Sequence, residues 1–401
     1  MKKILALIFA VLLTFSVSAC SGNDNAQYGY GKEESRFTAK IDQTWIDAGV
    51  DEDLNATGNT KEILAKKTAE MLELYGENKE ISGSYDTNLS ATTPYGTYVG
   101  KLDGSNILSW KGIPYAKAPI KDLRWKAPQD LDPWDDIKMC DTYGPACMQY
   151  DRWSNATDDI TDDSGHPYIK VDNYPYPPKM SEDCLYLNIY TPAKDNNDRL
   201  PVCFYIHGGG LQQWYGSDYE YCGDEFCKNG CIVVSITYRL NVFGYFSHPE
   251  LDKENEHNSS GNYGLLDQIK ALQWVYENIE YFGGDKNRIM CFGQSAGGSS
   301  TLAALASPLN KNYIKRISLQ SCVGLNSLMK EEEKTKIQEK GIKFMEACGC
   351  KNIEEMRQLS AEYLRDKNDE LFGMFSGFGM NIDGYVLIDE PVKLLADNKL
   401  N

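Results

Sequence analysis

One short stretch limits this chain more than any other. Arg288-Ile-Met-Cys-Phe292 reads as a buried strand, and Gly293-Gln294-Ser295-Ala296-Gly297-Gly298 follows it and opens a helix-like run. A G-x-S-x-G run between a strand and a helix demands a sharp turn with the serine at its tip. Glycine suits the positions two before and two after the serine, because larger side chains would clash inside the turn. Such a turn lifts the Ser295 hydroxyl above the sheet, within reach of a base. The helix behind it directs its partial positive end at any oxyanion that develops there.

A second glycine run supports the same chemistry. His207-Gly208-Gly209-Gly210 follows the apolar strand Val202–Ile206. Glycines in that place let backbone N–H groups face a ligand with no side chain in the way, as in the HGGG-type oxyanion loop. Further apolar, β-branched runs lie at Cys231–Ile236 and Ile314–Leu319. Helical segments fall between some of these strands. The clearest is 265–279, where Leu266, Ile269, Leu272 and Tyr276 share a helical spacing. Strands alternating with helices predict an α/β fold, with a mostly parallel central sheet and helices on both faces. Lys and Arg total 41 against 58 Asp and Glu, a formal charge of −17. That balance argues against nucleic acid as a partner, since phosphate binding needs clustered cations.

The first twenty residues read as an address. Lys2 and Lys3 precede an apolar run from Ile4 to Phe15, and Val17-Ser-Ala-Cys20 follows. The run is too short to span a bilayer and has the flanks of a signal peptide. Val-Ser-Ala-Cys is similar to a bacterial lipobox, so residues 1–19 are expected to be removed and Cys20 to be lipidated. The expected location is extracytoplasmic, with the chain lipid-anchored to the bacterial cell membrane. Residues 20–90 read as a polar tether and helical lead-in, with a helix expected from Thr60 to Tyr75 behind an Asn59 cap. Asp51, Asp53, Asn55 and Glu62 have calcium-loop spacing, but Ala56 stands where the sharp turn needs glycine, so an acidic loop is expected. The tract from Tyr150 to Lys179, rich in Asp, Pro and Tyr, reads as a surface insertion.

Export permits disulfides. Of twelve cysteines, setting Cys20 aside leaves an odd number, so at least one is unpaired. Cys203 and Cys291 sit in apolar strands and are expected in the core. Cys222, Cys227 and Cys231 lack a His or fourth Cys at ligand spacing, so no metal is expected.

Several stretches together resemble the type B carboxylesterase family, which also contains cholinesterases and neuroligins. They are Trp110-Lys-Gly-Ile-Pro-Tyr-Ala116 with Leu123-Arg124, Ser181-Glu-Asp-Cys-Leu-Tyr-Leu-Asn188, the glycine loop, Tyr238-Arg-Leu240, Gly261-Asn-Tyr-Gly-Leu-Leu-Asp-Gln268, Gln273-Trp-Val275, Phe282-Gly-Gly-Asp285 and the serine turn. They run in family order through a domain placed at 91–401. The resemblance implies an α/β-hydrolase fold and hydrolysis of small-molecule carboxylic esters without a cofactor. It implies Ser295 as nucleophile, and the N–H groups of Gly209, Gly210 and Ala296 as oxyanion hole. It also implies a structural ion pair between Arg124 and Glu182, and a disulfide between Cys147 and Cys184. Gln294 departs from the more usual Glu before the serine and removes a charge near the site. Oligomeric state is not legible.

The acid and base of a serine esterase follow the nucleophile in this fold, in the order acid and then His. All four histidines, His166, His207, His248 and His257, precede Ser295. On the resemblance, Met380 to Asn401 matches a segment that precedes a late strand, the acid and the His. Asp383, Asp389 and Glu390 come before the acid's place. The sequence therefore leads to the expectation of a fragment whose C-terminal strands, acid and base lie beyond residue 401. The alternative is an inactive cell-surface binding protein on the same fold.

Overall fold

The computed structural model describes residues 74–76, 78–103, 107–149, 179–218, 221, 223–310, 313–322, 332–373 and 376–400. The signal segment, Cys20, the acidic residues 51–62, nearly all of the 60–75 helix, Cys222 and the tract 150–178 lie outside them. Tyr75, at the end of that expected helix, instead bridges to Tyr143 in parallel β pairing.

Seven strands form the main sheet: β1 (Lys101–Asp103), β2 (Ile107–Pro114), β3 (Tyr186–Thr191), β4 (Leu200–Ile206), β5 (Ile232–Ile236), β6 (Gly284–Gln294) and β7 (Ile317–Gln320). Their spatial order is β7-β6-β4-β5-β3-β2-β1. The pairs β5/β4, β4/β6 and β6/β7 are parallel. The pairs β5/β3, β3/β2 and β2/β1 are antiparallel. The parallel half coincides with the four apolar runs read from the sequence, and the antiparallel half completes the sheet.

The parallel strands are apolar on both faces because both faces are covered. Along β4, Val202, Phe204 and Ile206 join one buried cluster, which includes Leu265 and Leu272 of helix α2 (Tyr263–Asn278) and Ala303 of helix α3 (Ala296–Ala306). Cys203 and Tyr205 join a separate cluster with Val233, Phe292 and Cys227, the last from the short helix α1 (Asp224–Cys227). The strand period of two thus sorts one strand's residues to opposite faces. Cys203 and Cys291 are both buried.

One buried ion pair fixes the chain that leaves β5. Arg239 donates to Asp267 of α2 through Nε at 2.8 Å and Nη2 at 2.7 Å, and the Arg239 N–H adds a third bond at 3.1 Å. Both side chains are almost wholly buried. Removing one partner of such a pair costs about 3–5 kcal/mol, because a charge is left unpaired in the core.

Candidate active site

The register of two parallel neighbours brings the glycine loop to the serine. Ile206, the last residue of β4, pairs with Gly293 near the end of β6. The chain leaving β4 and the chain leaving β6 therefore emerge side by side at the carboxyl edge of the parallel strands, where open α/β sheets place their ligands. Ser295 sits at the turn with φ 55° and ψ −125°, directly before α3. A serine in that backbone region is strained, and the strain persists only because the surroundings impose it.

The surroundings are backbone. A Cβ at Gly293 would lie 2.3 Å from the Gly297 carbonyl oxygen, and one at Gly297 would lie 2.1 Å from that of Ile206. The Ser295 N–H is tied to the Gln320 carbonyl of β7 at 2.9 Å, and the Gly298 N–H to the Ser295 carbonyl at 2.9 Å. The glycines at both ends of the turn are thus forced by close approach. Ser295 itself is only half-buried.

Gly208 packs on this turn: a Cβ there would meet the Gln294 carbonyl oxygen at 2.7 Å and the Ser295 Cβ at 3.3 Å. Gly209 and Gly210 follow with φ of +93° and +67°. Among the described residues, the N–H groups of Gly209, Gly210 and Ala296 have no backbone acceptor. These three positions were expected to supply the oxyanion hole; Gly209 and Gly210 lie in the loop after β4, and Ala296 opens α3 directly after Ser295. The Gln294 side chain is exposed, with Oε1 3.0 Å from where a Gly208 Cβ would be.

The three described histidines make other contacts, and the buried His207 Nε2 has no hydrogen-bond partner among the described residues. His207 is fully buried and stacks on Tyr238 at 4.3 Å, and its Nδ1 lies 3.0 Å from the Gly208 carbonyl. Burial pushes its pKa down to about 4, so the ring is neutral near pH 7. His248 caps helix Pro249–Lys253, with Nδ1 accepting from the Glu250 N–H at 3.2 Å. His257 stacks on Tyr385 at 3.7 Å and lies 3.4 Å from Glu256. Among the described residues none of them is hydrogen-bonded to Ser295.

The late carboxylates are also occupied. Asp383 Oδ1 accepts from the N–H groups of Tyr385, Val386 and Leu387 at 3.0, 2.8 and 3.0 Å, and Oδ2 accepts from the Ser259 hydroxyl. Asp389 pairs with Lys393 on the surface. Beside this segment lies a cleft of about 430 Å³, whose lining includes Trp125, Tyr263, His257 and Tyr385 but not Ser295.

The scaffold residues form a connected buttress. Arg124 and Glu182 make a two-bond pair at 2.6 and 2.5 Å. Arg124 Nη1 also donates to the carbonyls of Met356, Arg357 and Leu359, capping the end of helix α4 (Ile353–Arg357). Cys147 and Cys184 are joined as a disulfide across 37 positions. Sequence reasoning did not find Gln149, Arg239 with Asp267, or the role of Asp383. Gln149 and the Arg239–Asp267 pair act through hydrogen bonds between distant positions, and Asp383 through the N–H groups just after it and the distant Ser259; none of these leaves a periodic signal.

The profile of the carboxylesterase family matches residues 87–401. Carboxylesterase 1F of Mus musculus is 34% identical over 338 residues, covering 77% of this chain and 56% of that protein. The para-nitrobenzyl esterase of Bacillus subtilis (strain 168) is 34% identical over 322 residues, covering 78% of this chain and 60% of the other. Among solved structures, the Geobacillus stearothermophilus carboxylesterase EST55 superposes with a TM-score of 0.66 at 33% identity, covering 78% of this chain and 59% of the other. The chain thus spans little more than half the length of these relatives.

Proposed function

Because this chain belongs to the carboxylesterase family and has its α/β-hydrolase fold, we propose that the protein hydrolyses carboxylic esters through an acyl-enzyme on Ser295. The observation that carries the reading is the strained Ser295 turn beside the N–H groups of Gly209, Gly210 and Ala296, which have no backbone acceptor among the described residues. Ser295 Oγ attacks the ester carbonyl carbon, and the carbonyl oxygen becomes an oxyanion. The three N–H groups stabilise that charge, and α3 adds its N-terminal partial positive charge. The alcohol leaves, and water later releases the acid from Ser295. The proton of Ser295 passes to a base that the described histidines do not supply in this arrangement. The experiment is ester hydrolysis by the protein as its source cell makes it, with and without Ser295→Ala. Turnover that the substitution abolishes supports the reading, and turnover that survives it refutes the reading.

We further propose that the protein works outside the cytoplasm on a lipid attached to Cys20. Lys2, Lys3, the apolar run and Ser18-Ala19-Cys20 support this. The Cys147–Cys184 disulfide fits an oxidising compartment. Radiolabelled fatty acid should enter the parent protein and not the Cys20→Ala variant.

A further inference from the structure

Gln149 stands two residues after the disulfide-bonded Cys147 and is buried. Its amide grips the far end of the glycine loop from both sides. Gln149 Oε1 accepts from the Trp214 N–H at 2.7 Å, and Nε2 donates to the Trp214 carbonyl at 3.0 Å and to the Cys147 carbonyl at 3.0 Å. The gripped residue needs holding, because Trp214 has φ +92°, a region that costs a non-glycine residue strain.

Trp214 is coupled to the proposed oxyanion hole by direct contact. A Cβ on Gly209 would lie 2.1 Å from the Gln213 carbonyl oxygen and 3.1 Å from the Trp214 Cβ. The Gly209 carbonyl accepts from the N–H groups of Gln212 and Gln213 at 3.1 and 3.2 Å. Loop 209–214 is therefore a tight turn whose closing end lies against the Cα of Gly209. Asn241 adds a second tie between the same two segments: its Nδ2 donates to the Met148 carbonyl at 2.9 Å and the Gln212 carbonyl at 3.3 Å. Segment 147–149, anchored by the disulfide, is the buttress of the loop.

We propose that Gln149 is a positioning residue of the oxyanion hole: by clamping the Trp214 backbone it fixes the direction of the Gly209 and Gly210 N–H groups toward Ser295. It touches neither substrate nor Ser295 and acts through the loop. The proposal rests on the serine-esterase reading above. A misdirected donor costs catalysis far more than binding, since the oxyanion exists only after attack.

The test compares the parent protein, Gln149→Met, Gln149→Glu and Ser295→Ala, by ester kinetics and by amide hydrogen exchange. Methionine keeps the volume and removes every bond, whereas glutamate keeps an oxygen to accept the Trp214 N–H. Expected for Gln149→Met is a kcat lower by about 10- to 100-fold with KM within about twofold. Exchange should be at least about tenfold faster in 209–214 and unchanged in the sheet. Gln149→Glu should fall between parent and Gln149→Met. Unchanged exchange in 209–214, or faster exchange with unchanged kcat, overturns the proposal. So does faster exchange throughout the fold, which marks a merely structural role. Hydrolysis lost in Ser295→Ala but untouched in Gln149→Met overturns the role of Gln149 alone. Hydrolysis that survives Ser295→Ala overturns the serine reading, and the catalytic role of Gln149 with it.

Discussion

Two turns of this molecule use the same device and differ in whether it is filled. At 383–387, three successive N–H groups converge on one oxygen of the Asp383 carboxylate at 2.8 to 3.0 Å. Around Ser295, the N–H groups of Gly209 and Gly210 in the glycine loop and of Ala296 at the start of α3 have no backbone acceptor among the described residues. The first cluster is satisfied from within the chain and is architecture. The second is the arrangement that a developing oxyanion would satisfy. The contrast supports the proposed site at Ser295 on grounds separate from any motif.

The largest effect expected from disturbing this contrast is at Gly209. A methyl group there meets the Gln213 carbonyl oxygen at 2.1 Å in a backbone region with φ +93°. Gly209→Ala should lower kcat for ester hydrolysis by about 10²–10³-fold, the loss typical of one oxyanion donor. A loss below about tenfold would separate the open cluster from catalysis.

The next effect concerns the ring beside that loop. Burial holds the His207 pKa down to about 4 from an ordinary 6.5. The unfolded chain therefore binds the proton first. The stabilisation is complete above about pH 6.5 and is lost as pH falls toward 4, a change of about 3 kcal/mol. His248, whose pKa burial also lowers, pushes in the same direction. In denaturant titrations at pH 4.5 and 7, His207→Asn should show a smaller loss than the parent. An equal loss would mean that the ring is not sealed.

The filled cluster should behave as structure. Asp383→Ala leaves the three N–H groups without their carboxylate. It should cost about 2–3 kcal/mol in denaturant unfolding. At temperatures where the variant stays folded, kcat should remain within about threefold, a modest change beside that at Gly209. A kcat loss as large as that of Gly209→Ala would erase the distinction between the two turns.

How much of this was readable in advance follows from which atoms make the contacts. The serine turn and glycine loop were legible because backbone-to-backbone approach near 2 Å leaves room only for glycine, and spaced glycines survive in a sequence. The parallel strands were legible because burial on both faces makes them continuously apolar. The antiparallel strands β2 and β3 were not singled out as strands, since Ser109, Lys111, Asn188 and Thr191 interrupt their apolar runs although all four are buried. Gln149 and Trp214 lie 65 positions apart, and Ser259 and Asp383 lie 124 apart. Side-chain bonds across such distances have no period and no fixed spacing. Asp383, Asp389 and Glu390 come before the place of the acid in the sequence, and the first two are tied to local backbone and to Lys393.

The most direct test of the central claim is the site of covalent capture by an activated phosphonate ester. The protein as its source cell makes it is treated with the reagent, digested, and mapped by mass spectrometry. The account predicts one adduct per chain, on the peptide that carries Ser295, absent in Ser295→Ala and reduced in Gly209→Ala. An adduct on another residue, or undiminished labelling of Ser295→Ala, would contradict it.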